Sequence, residues 1–473
     1  MKTYRLTTHT KKILADTLTP VSVYLKLRDH FPNSLLLESS DYHANDNSFS
    51  YICCQPIAHI QIQNGQLKRQ YPDGTKETVT LTANHNVPEM ITAFTQQFSC
   101  DNNPHKFIQN GLFGYLAHDV VQYFEAVDIA SKKDTLALPD LYYAVYQNII
   151  AINHFNNEAY LFCHTYEGAS NLATIEQLLS RKTFSDYSFQ CKGTATSVLD
   201  DEQYKNLVQK AKAHCQRGDV FQLVLSRRFE QEFSGDEFNV YRALRMVNPS
   251  PYLFYFDYGD FKIFGSSPEA QLIVQDGQAE IHPIAGTFKR TGDDENDAKL
   301  ALELSEDPKE NAEHVMLVDL ARNDLSRNGA LVAVKTNREI QFFSHVIHLV
   351  SKVVGTKIEE IPTFQVVADT FPAGTLSGAP KHKALQLIEQ YEIVNRSFYG
   401  GAIGFMDFEG NFNHAIIIRS FLSKNHKLYY QAGAGIVAAS DEDNELQEVY
   451  NKLGALNKAL EIAQNLNAWN PFV

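Results

Sequence analysis

Apolar and polar positions in the first part of the chain predict short strands. Residues 34–39, with the apolar run 35–37 at their centre, are typical of a buried strand. Two further apolar runs, 149–152 and 159–162, flank Asn156 and Asn157, a pair typical of a hairpin turn. Residues 183–200 are polar and rich in small side chains, which indicates a connection between two regions.

The middle of the chain switches to a helical period. Asp200 precedes a periodic run and Gly218 follows it, which predicts a capped helix between them. The apolar positions of this run recur every three or four residues and are Tyr204, Leu207, Val208, Ala211 and Cys215. Residues 220–227 then predict a strand, and residues 415–420 predict a buried strand that carries one arginine, Arg419.

The order of these elements bounds the fold class. No repeat of fixed period and no regular alternation of strand and helix runs through the sequence. This pattern disfavours a doubly wound parallel sheet and predicts a mixed α+β fold. The polar connection divides the chain into an N-terminal region, 1–195, and a C-terminal region, 196–473.

Composition and charge narrow the classes of partner. The chain has 473 residues and a net charge of −14, with no basic stripe, which disfavours nucleic acid and anionic membrane surfaces. No run of eighteen apolar residues occurs, so no membrane span is expected, and the N-terminus lacks the apolar region of a signal peptide. Six scattered cysteines without a CxxC pair indicate free thiols in a reducing cytoplasm.

Two short carboxylate pairs are the strongest chemical feature of the chain. Glu310 and Glu313 form one pair, and Glu445 and Glu448 form the other. A spacing of three residues in a helix places both side chains on one face, and two such faces brought together suit a hard cation such as Mg2+. A second interpretation applies to the first residue of each pair, because acidic side chains near a helix start also serve as caps, and Asp307 opens such a start before Glu310.

Glycine-rich segments between the two pairs suit an anionic ligand. Residues 372–381, 400–404 and 431–436 offer backbone amides and permit close approach of the main chain. Arg419, inside an apolar run, needs a carboxylate partner. That partner is either a ligand or an acidic side chain of the protein.

Several segments, taken together and in order, identify a family. They are 283–287, 313–324, 348–351, 375–381 and 431–435. On these segments the chain resembles the chorismate-utilising enzymes, and within them the large subunits of anthranilate synthase. The resemblance implies two packed antiparallel sheets surrounded by helices, with the catalytic unit in 196–473 and a tryptophan-regulatory pocket in 1–195.

The resemblance also assigns ligands. It implies that Glu313 and Glu448 bind Mg2+ directly, with Glu310 and Glu445 in support, and that the metal ion holds the ring carboxylate of chorismate. The remaining substrate contacts are expected from two basic side chains, one phenol, one hydroxyl and a glycine-rich backbone, namely Arg419, Lys452, Tyr399, Thr287, Gly433, Ala434 and Gly435.

Two positions without lysine separate the members of this family. Isochorismate synthases use a lysine to activate water at the position of Gln222, and a glutamine is not a general base near neutral pH. Aminodeoxychorismate synthases carry a nucleophilic lysine at the position of Ala285. Both differences favour addition of ammonia at C2 and formation of anthranilate.

The implied reaction has two steps. Ammonia adds at C2 while the C4 hydroxyl leaves with Glu269 as general acid, and a base then removes the C2 proton as pyruvate departs. His348 is the candidate for a proton-transfer or leaving-group role, with a core histidine as the alternative. Thr287 and Thr375 are expected to hydrogen-bond the pyruvyl and hydroxyl groups of the substrate.

The ammonia source and the regulation follow from the same resemblance. No G-x-C-x-G elbow occurs, so a separate glutamine amidotransferase subunit is expected, in a heterotetramer. Two segments are expected to form a pocket for inhibitory tryptophan, with the residues Glu38, Ser39, Asn248, Pro251, Tyr252 and Leu253. Aminodeoxychorismate synthase component I and a catalytically silent tryptophan-binding subunit remain the alternative functions.

Overall fold

A computed structural model describes residues 2–39, 48–101, 104–129, 135–342 and 346–466 of the chain. Within these ranges the side chains of Ala285, Thr287, Lys289 and Lys309 are outside the description.

The strands, in chain order, are β1 (Tyr4–Leu14), β2 (Leu35–Ser39), β3 (Phe49–Gln63), β4 (Gln66–Gln70), β5 (Lys76–Thr80), β6 (Phe98–Cys100), β7 (Leu112–Leu116), β8 (Leu141–Asn153), β9 (Glu158–Thr165), β10 (Phe189–Ser197), β11 (Gln222–Gly235), β12 (Tyr252–Asp257), β13 (Phe261–Ser267), β14 (Ala270–Gln275), β15 (Gln278–Ile281), β16 (Ile284–Lys289), β17 (Gly329–Phe342), β18 (Val346–Lys357), β19 (Gly378–Ala379), β20 (Ala402–Met406), β21 (Phe412–Ile416), β22 (Ser420–Lys424) and β23 (Lys427–Ile436).

The helices are α1 (Pro20–Leu27), α2 (Val87–Thr95), α3 (Leu172–Leu179), α4 (Asp201–Arg217), α5 (Phe238–Val247), α6 (Asp294–Glu306), α7 (Pro308–Ser326), α8 (Thr363–Thr370), α9 (Gly374–Ser377), α10 (Lys381–Tyr391) and α11 (Glu442–Ala463), with a 3-10 helix at His118–Tyr123.

The strands form two antiparallel sheets that share two long strands. The first sheet runs β1-β9-β8-β3-β2-β12-β13-β22-β23-β11-β10. The second runs β5-β4-β3-β8-β7-β20-β21-β14-β15-β18, with β16 and β17 also paired to β18. The predicted architecture, an α+β fold with antiparallel sheets and surrounding helices, is confirmed; the ladder between β1 and β6 is parallel.

The two shared strands, β3 and β8, pass from one sheet to the other. Their ladder shifts register between Pro56 and Ala58, and Gln55 just before it has a φ of 63°. Before the shift, β3 pairs with β2, and after it β3 pairs with β4. A bulge of this kind bends a strand and re-aims it, which separates the two sheets.

Two apolar cores lie on opposite faces of these sheets. One is the inter-sheet core, which contains β12, β13 and β22 residues of the first sheet together with β7, β20 and β21 residues of the second. The other, larger core lies under the helices, where α1, α4, α5 and α11 bury their apolar faces. Burial of alternate strand residues on both faces explains why many of these strands read as continuous apolar runs.

Several predicted elements are confirmed. The strand at 34–39 is β2, and the hairpin is β8–β9, in which Asn153 pairs with Glu158. Helix α4 is capped by the Asp200 side chain, which accepts from the Gln203 amide, and ends at Gly218 in the left-handed conformation.

All six cysteines are free. No helix in the described part of the chain is long and apolar enough to cross a membrane.

Two predicted elements are wrong. Residues 189–197, expected within a polar connection, form β10, which pairs with β11. The expected strand at 415–420 is broken, since β21 ends at Ile416 and β22 begins at Ser420, with Arg419 between them at a φ of 51°. The apolar run did not reveal this break because the chain stays buried while it crosses between sheets.

The proposed division at residue 195 falls within β10 and stays a prediction. Strands from both sides of it pair, β2 with β12 and β7 with β20, so both regions contribute to both sheets.

Candidate active site

Two short links cross between the sheets side by side. Pro268 and Glu269 connect β13 in the first sheet to β14 in the second, and residues 417–419 connect β21 back to β22. The backbone amide of Ile416 donates to the Glu269 carbonyl over 3.0 Å, and that of Ser266 donates to the Arg419 carbonyl over 3.2 Å. These two hydrogen bonds hold Glu269 and Arg419 at the point where the two sheets diverge.

Glu269 is a buried carboxyl group at this crossing. Burial raises its pKa to about 8, and the Thr375 hydroxyl, which donates to Oε1 over 3.0 Å, acts in the opposite direction. Lys452 and Arg419 lower the same pKa more weakly. A carboxyl group with this pKa holds its proton at neutral pH and can deliver it to a leaving group.

A narrow cleft lies against Glu269. One wall is α9, with Gly374 and Thr375, and the facing wall is α7, with Leu317 and Leu320. The two helices approach closely at Gly374, where an added Cβ would lie 2.4 Å from a Leu320 methyl carbon. A residue larger than glycine at this position would therefore require the Leu320 side chain to move.

Arg419 lies half-buried beside this cleft in a strained backbone conformation. Burial lowers the pKa of its guanidinium, while Tyr399, Glu448 and Glu269 oppose that change. With the residues that the structure describes, the guanidinium forms no hydrogen bond or ion pair. A carboxylate on a ligand could accept hydrogen bonds from the N–H groups of this guanidinium.

Tyr399 and the glycine-rich strand β23 surround the same space. Burial raises the pKa of Tyr399 to about 12, and the backbone of Gly433 lowers it. The Lys452 ammonium donates to the Gly433 carbonyl over 2.8 Å. The Gln222 side chain packs on Gly435, where an added Cβ would lie 2.6 Å from Nε2. Ala434 is fully buried between these two glycines.

His348 lies buried on β18. Its Nδ1 is 2.9 Å from the carbonyl oxygen of Gly286, to which it donates, so in the neutral ring Nε2 carries the lone pair. Burial lowers the pKa of His348 and nearby Arg419 lowers it further. The ring is therefore neutral near pH 7 and suited to accept a proton.

The first carboxylate pair lies on α7. The Asp307 carboxylate accepts from the Glu310 amide over 3.0 Å, which confirms the predicted helix start. The Glu310 carboxylate lies close to Gly286, with Oε2 3.1 Å from where a Cβ would stand. Glu313 is one turn before Leu317, which lines the cleft, so its helical face is the cleft-facing one.

The second pair lies on α11. The Asp441 carboxylate caps this helix by accepting from the amides of residues 443 and 444. Glu445 is buried, and the Glu448 carboxylate forms an ion pair with Lys452 at 2.5 Å. Helix α7 lines the cleft with Glu269, and Lys452 of α11 is near enough to Glu269 to lower its pKa.

The donor chemistry of these four carboxylates fits Mg2+, which prefers oxygen ligands. The positions of the four carboxylates support a metal site less strongly than their chemistry does. Among the described residues, no group of three or more His, Cys, Asp or Glu side chains is gathered closely enough to hold a metal ion. The assignment of Mg2+ to this place therefore stays a prediction.

A buried ion pair behind the cleft was not predicted. The Arg396 guanidinium donates to both carboxylate oxygens of Glu392, at 2.7 and 2.9 Å. It also donates to the carbonyls of Leu376 in α9, at 2.5 Å, and of Val224 in β11, at 2.7 Å. Ser226 completes the set by donating its amide and hydroxyl to Glu392. The i, i+4 spacing of Glu392 and Arg396 was the available signal.

A second buried pair ties α10 to α7. The Lys381 ammonium lies 2.6 Å from the Asp324 carboxylate and donates to the Thr370 carbonyl over 2.8 Å. Lys381 is the last residue of the segment 372–381, whose backbone amides are predicted to suit an anionic ligand. The structure instead gives this lysine an internal partner at the end of the cleft.

Four of the six residues expected at a tryptophan pocket come together in one ladder. Strand β2 pairs with β12 so that Ser39 faces Tyr252 and Glu38 faces Leu253.

Glu38 is buried and accepts from the Tyr241 hydroxyl over 2.6 Å and from Arg245 Nε over 2.9 Å. Asn248 ends α5, and its carbonyl accepts from the Ser266 hydroxyl. Pro251 directly precedes β12. The contact between Arg245 and Glu38 was not predicted, since the two residues are distant in the sequence.

Two expectations fall on undescribed parts of the chain. The side chains of Thr287 and Ala285 lie outside the described residues, although the β16 backbone places Thr287 opposite His348. Residues 40–47, which follow Ser39, also lie outside them.

Comparison with known proteins shows extended similarity. A family model described as chorismate binding enzyme matches residues 33–458. Anthranilate synthase component 1 of Aquifex aeolicus (strain VF5) is 36% identical over 474 residues, which cover 96% of this chain and 94% of that protein. The corresponding protein of Neisseria gonorrhoeae (strain ATCC 700825 / FA 1090) is 37% identical over 478 residues, with coverage of 96% and 95%.

A solved structure agrees with the sequence comparison. The crystal structure of anthranilate synthase component I from Streptococcus pneumoniae TIGR4 has a TM-score of 0.75 to this chain at 31% identity. The structural match covers 94% of this chain and 99% of the Streptococcus pneumoniae chain.

Proposed function

Because the chain belongs to the family of chorismate binding enzymes, we propose that it converts chorismate and ammonia to anthranilate and pyruvate. The observation that carries this proposal is the buried Glu269 carboxyl group, whose pKa of about 8 keeps it protonated beside a cleft and a guanidinium. A protonated acid is what departure of a ring hydroxyl requires.

Glu269 supplies the proton in the first step. Ammonia forms a bond to C2 of the ring, the double bonds shift, and the C4–oxygen bond breaks. The proton of Glu269 passes to the departing oxygen, which leaves as water. Thr375, whose hydroxyl donates to the carboxyl group, holds it toward the cleft.

Arg419 binds the enolpyruvyl carboxylate. Its fork of donors has no partner in the described residues, and Tyr399 and the Gly433 backbone lie beside it. Lys452 adds positive charge near Glu269. A protein with a net charge of −14 thus holds an anionic substrate through local positive groups and backbone dipoles.

His348 accepts the proton in the second step. Its Nδ1 donates to the Gly286 carbonyl, which fixes the ring and leaves Nε2 as the basic atom. Removal of the C2 proton makes the ring aromatic as the C3–oxygen bond breaks. The enolpyruvyl group leaves as enolpyruvate, which takes up a proton at its methylene carbon to become pyruvate. The lowered pKa of His348 keeps the ring neutral before this transfer.

Gln222 and Ala285 select ammonia over the other nucleophiles. The Gln222 amide packs against Gly435, so this position holds a neutral side chain against the substrate-binding strand. It cannot activate water as a lysine would, and Ala285 cannot form a covalent bond to the ring. Both residues argue against isochorismate and aminodeoxychorismate synthesis.

Mg2+ is proposed as the cofactor, held by Glu313 and Glu448 with Glu310 and Glu445 in support. When bound, it would supply positive charge that neutralises the ring carboxylate of chorismate. Glu448 must then exchange its ion pair with Lys452 for the metal ion. Equilibrium dialysis should show that Glu313→Gln and Glu448→Gln bind Mg2+ more weakly, whereas Glu461→Gln, an exposed control on α11, binds it normally.

A separate glutamine amidotransferase subunit is proposed as the ammonia source, in a heterotetramer, and tryptophan as the inhibitor. The cytoplasm is proposed as the compartment, since all six thiols are free. Use of glutamine by the purified chain alone would contradict the first of these proposals.

The deciding experiment is incubation of the chain with chorismate, Mg2+ and ammonium, followed by mass spectrometry of the products. Anthranilate and pyruvate are expected. Aminodeoxychorismate as the product would support the alternative enzyme. No turnover, together with saturable tryptophan binding, would support the silent regulatory subunit.

A further inference from the structure

A second, larger concavity lies away from the catalytic cleft. It contains about 800 Å³ of empty space and opens beside α1, the β11–α5 connection and β12. Its lining residues are Tyr24, Arg28, Asp29, Tyr187, Gly235, Asp236, Glu237, Tyr255, Asp257 and Lys262. We call it the amine groove. It shares no lining residue with the catalytic cleft or with the six residues assigned to tryptophan.

One buried tyrosine hydroxyl of the amine groove has no partner. Tyr24 is 0% exposed, and its hydroxyl is not hydrogen-bonded to any residue in the described ranges. The ring of Tyr255 packs edge-on against that of Tyr24, with ring centroids 5.4 Å apart. Burial raises the pKa of each tyrosine, and the Asp257 carboxylate raises both further, so the two hydroxyls lie near that carboxylate. An unpaired buried hydroxyl is costly, and a ligand that bonds to it would remove this cost.

The basic residues of the groove are already matched by acids. Arg28 pairs with Asp236, with its two terminal nitrogens 3.2 and 2.5 Å from the two carboxylate oxygens. Lys262 lies 2.9 Å from the Glu237 carboxylate. These two pairs leave no unpaired base for an anion.

Asp257 is the acid without an ion pair among the described residues. Its carboxylate accepts from the Gly259 amide over 2.7 Å. Burial raises its pKa, and Lys262 acts in the opposite direction. Its negative charge is therefore poorly compensated, on the same wall as the two tyrosine hydroxyls.

We propose that the amine groove binds a small molecule through a primary ammonium group, held by Asp257, Tyr24 and Tyr255. An ammonium offers three N–H donors, and these three side chains offer three acceptors. Tyrosine rings on the wall also favour an organic cation. A metal ion suits the groove less, since the described residues contain no cluster of three metal-ligating side chains.

Isothermal titration of the whole chain with phenethylammonium tests the proposal. Saturable binding is expected, with affinity at least about tenfold above that for 2-phenylethanol, which lacks the charge. Asp257→Asn should lower the affinity by about tenfold or more, and Tyr24→Phe and Tyr255→Phe each by about threefold to tenfold. The two phenylalanine variants remove only an oxygen atom, so they test the site even where Asp257→Asn fails to fold.

Tyr258→Phe is the matched control. The Tyr258 hydroxyl is likewise buried without a hydrogen-bond partner among the described residues, but its ring packs on Tyr115 and Phe261 in the inter-sheet core. This variant should bind phenethylammonium like the parent chain. Far-ultraviolet circular dichroism checks that every variant is folded.

Four results would overturn the proposal. The first three are absence of saturable binding up to about 10 mM, a level set by the weakest useful affinity; equal affinity for 2-phenylethanol; and unchanged affinity in Tyr24→Phe and Tyr255→Phe. Loss of binding in Ser39→Phe alone would assign the amine to the neighbouring pocket and also overturn it. None of these results depends on turnover of chorismate.

Discussion

The Thr375 hydroxyl donates a 3.0 Å hydrogen bond to Oε1 of Glu269, and this bond joins α9 to the link between the two sheets. It acts on a carboxyl group whose pKa burial has raised to about 8. Donation to the charged form lowers that pKa. One hydroxyl thus both orients the proposed acid and limits how strongly it retains its proton.

The first prediction concerns the pH dependence of turnover. Activity should fall as pH rises through about 8, because Glu269 then loses the proton that the leaving hydroxyl needs. In Thr375→Val the pKa of Glu269 rises, so the alkaline limb of the kcat profile should move to higher pH while kcat falls. Thr375→Ser, which keeps a hydroxyl, should retain the parent limb. An unchanged alkaline limb in Thr375→Val would show that the Thr375 hydroxyl does not affect the pKa of Glu269.

Replacement of Glu269 should reduce activity and raise stability together. The folded-state pKa of about 8 exceeds the ordinary value of 4.5, so the folded protein binds more protons than the unfolded chain between these values. Its stability therefore falls as pH rises through this window. Glu269→Gln removes this dependence and should be more stable by a few kcal/mol at pH 8, with a smaller difference near pH 4.5.

Urea unfolding of both proteins at several pH values measures this difference, and kcat of the variant should fall by about 10²–10⁴-fold. Glu461→Gln, at an exposed position, is the control and should leave both quantities unchanged. Equal stability at pH 8 would show that the Glu269 carboxyl group is not destabilised by burial.

Arg419→Gln should weaken substrate binding. Loss of a charge-assisted pair with a carboxylate is expected to raise KM about 10-fold to 100-fold. Steady-state kinetics with ammonium measures this, and Arg322→Gln, at an exposed position of α7, serves as the control. An unchanged KM would place the enolpyruvyl carboxylate elsewhere.

The buried pair behind the cleft should matter most for stability. Glu392→Ala leaves the fully buried Arg396 guanidinium without its acid, which should cost about 3–5 kcal/mol in the free energy of unfolding. Denaturant unfolding checks this value. Lys458→Ala, which breaks an exposed pair with Glu461, should cost less than about 1 kcal/mol. Comparable costs in the two variants would contradict the structural role of Glu392.

Tryptophan inhibition should depend on Ser39. The β2–β12 ladder places Ser39 opposite Tyr252, so Ser39→Phe adds a large ring where four of the six assigned residues meet. The variant should lose inhibition by tryptophan while its KM for chorismate stays unchanged, as shown by titrating the initial rate. Equal inhibition of both proteins would reject this pocket.

Local sequence signals were sufficient where neighbouring residues decide the structure. Asp200, Gly218 and Asp307 end or begin helices through their own backbone and side-chain geometry, and the structure confirms them. The hairpin at Asn156 and Asn157 is of the same kind. The α+β class followed from the order of such elements, which requires no knowledge of long-range contacts.

Local signals failed where the reason for a residue lies elsewhere in the fold. The sequence predicts Arg419 within a continuous strand because the apolar run 415–418 leads directly into it. The chain instead turns there to change sheets, and only the pairing of β21 and β22 with different partners requires that turn. The ion pair of Arg396 and Glu392 was also missed, since its further partners, Leu376 and Val224, are distant in sequence.

The sequence by itself determined the chemical inventory and the family: paired carboxylates, one arginine in an apolar run, glycine-rich segments, and no lysine at positions 222 and 285. The tertiary structure decided which of these groups meet. The fold buries Glu269 at the link between the two sheets, which raises its pKa, and places it beside Thr375 and Arg419, which lower that pKa. Burial and distance depend on the whole fold, whereas side-chain chemistry and helix capping depend on a few neighbouring residues.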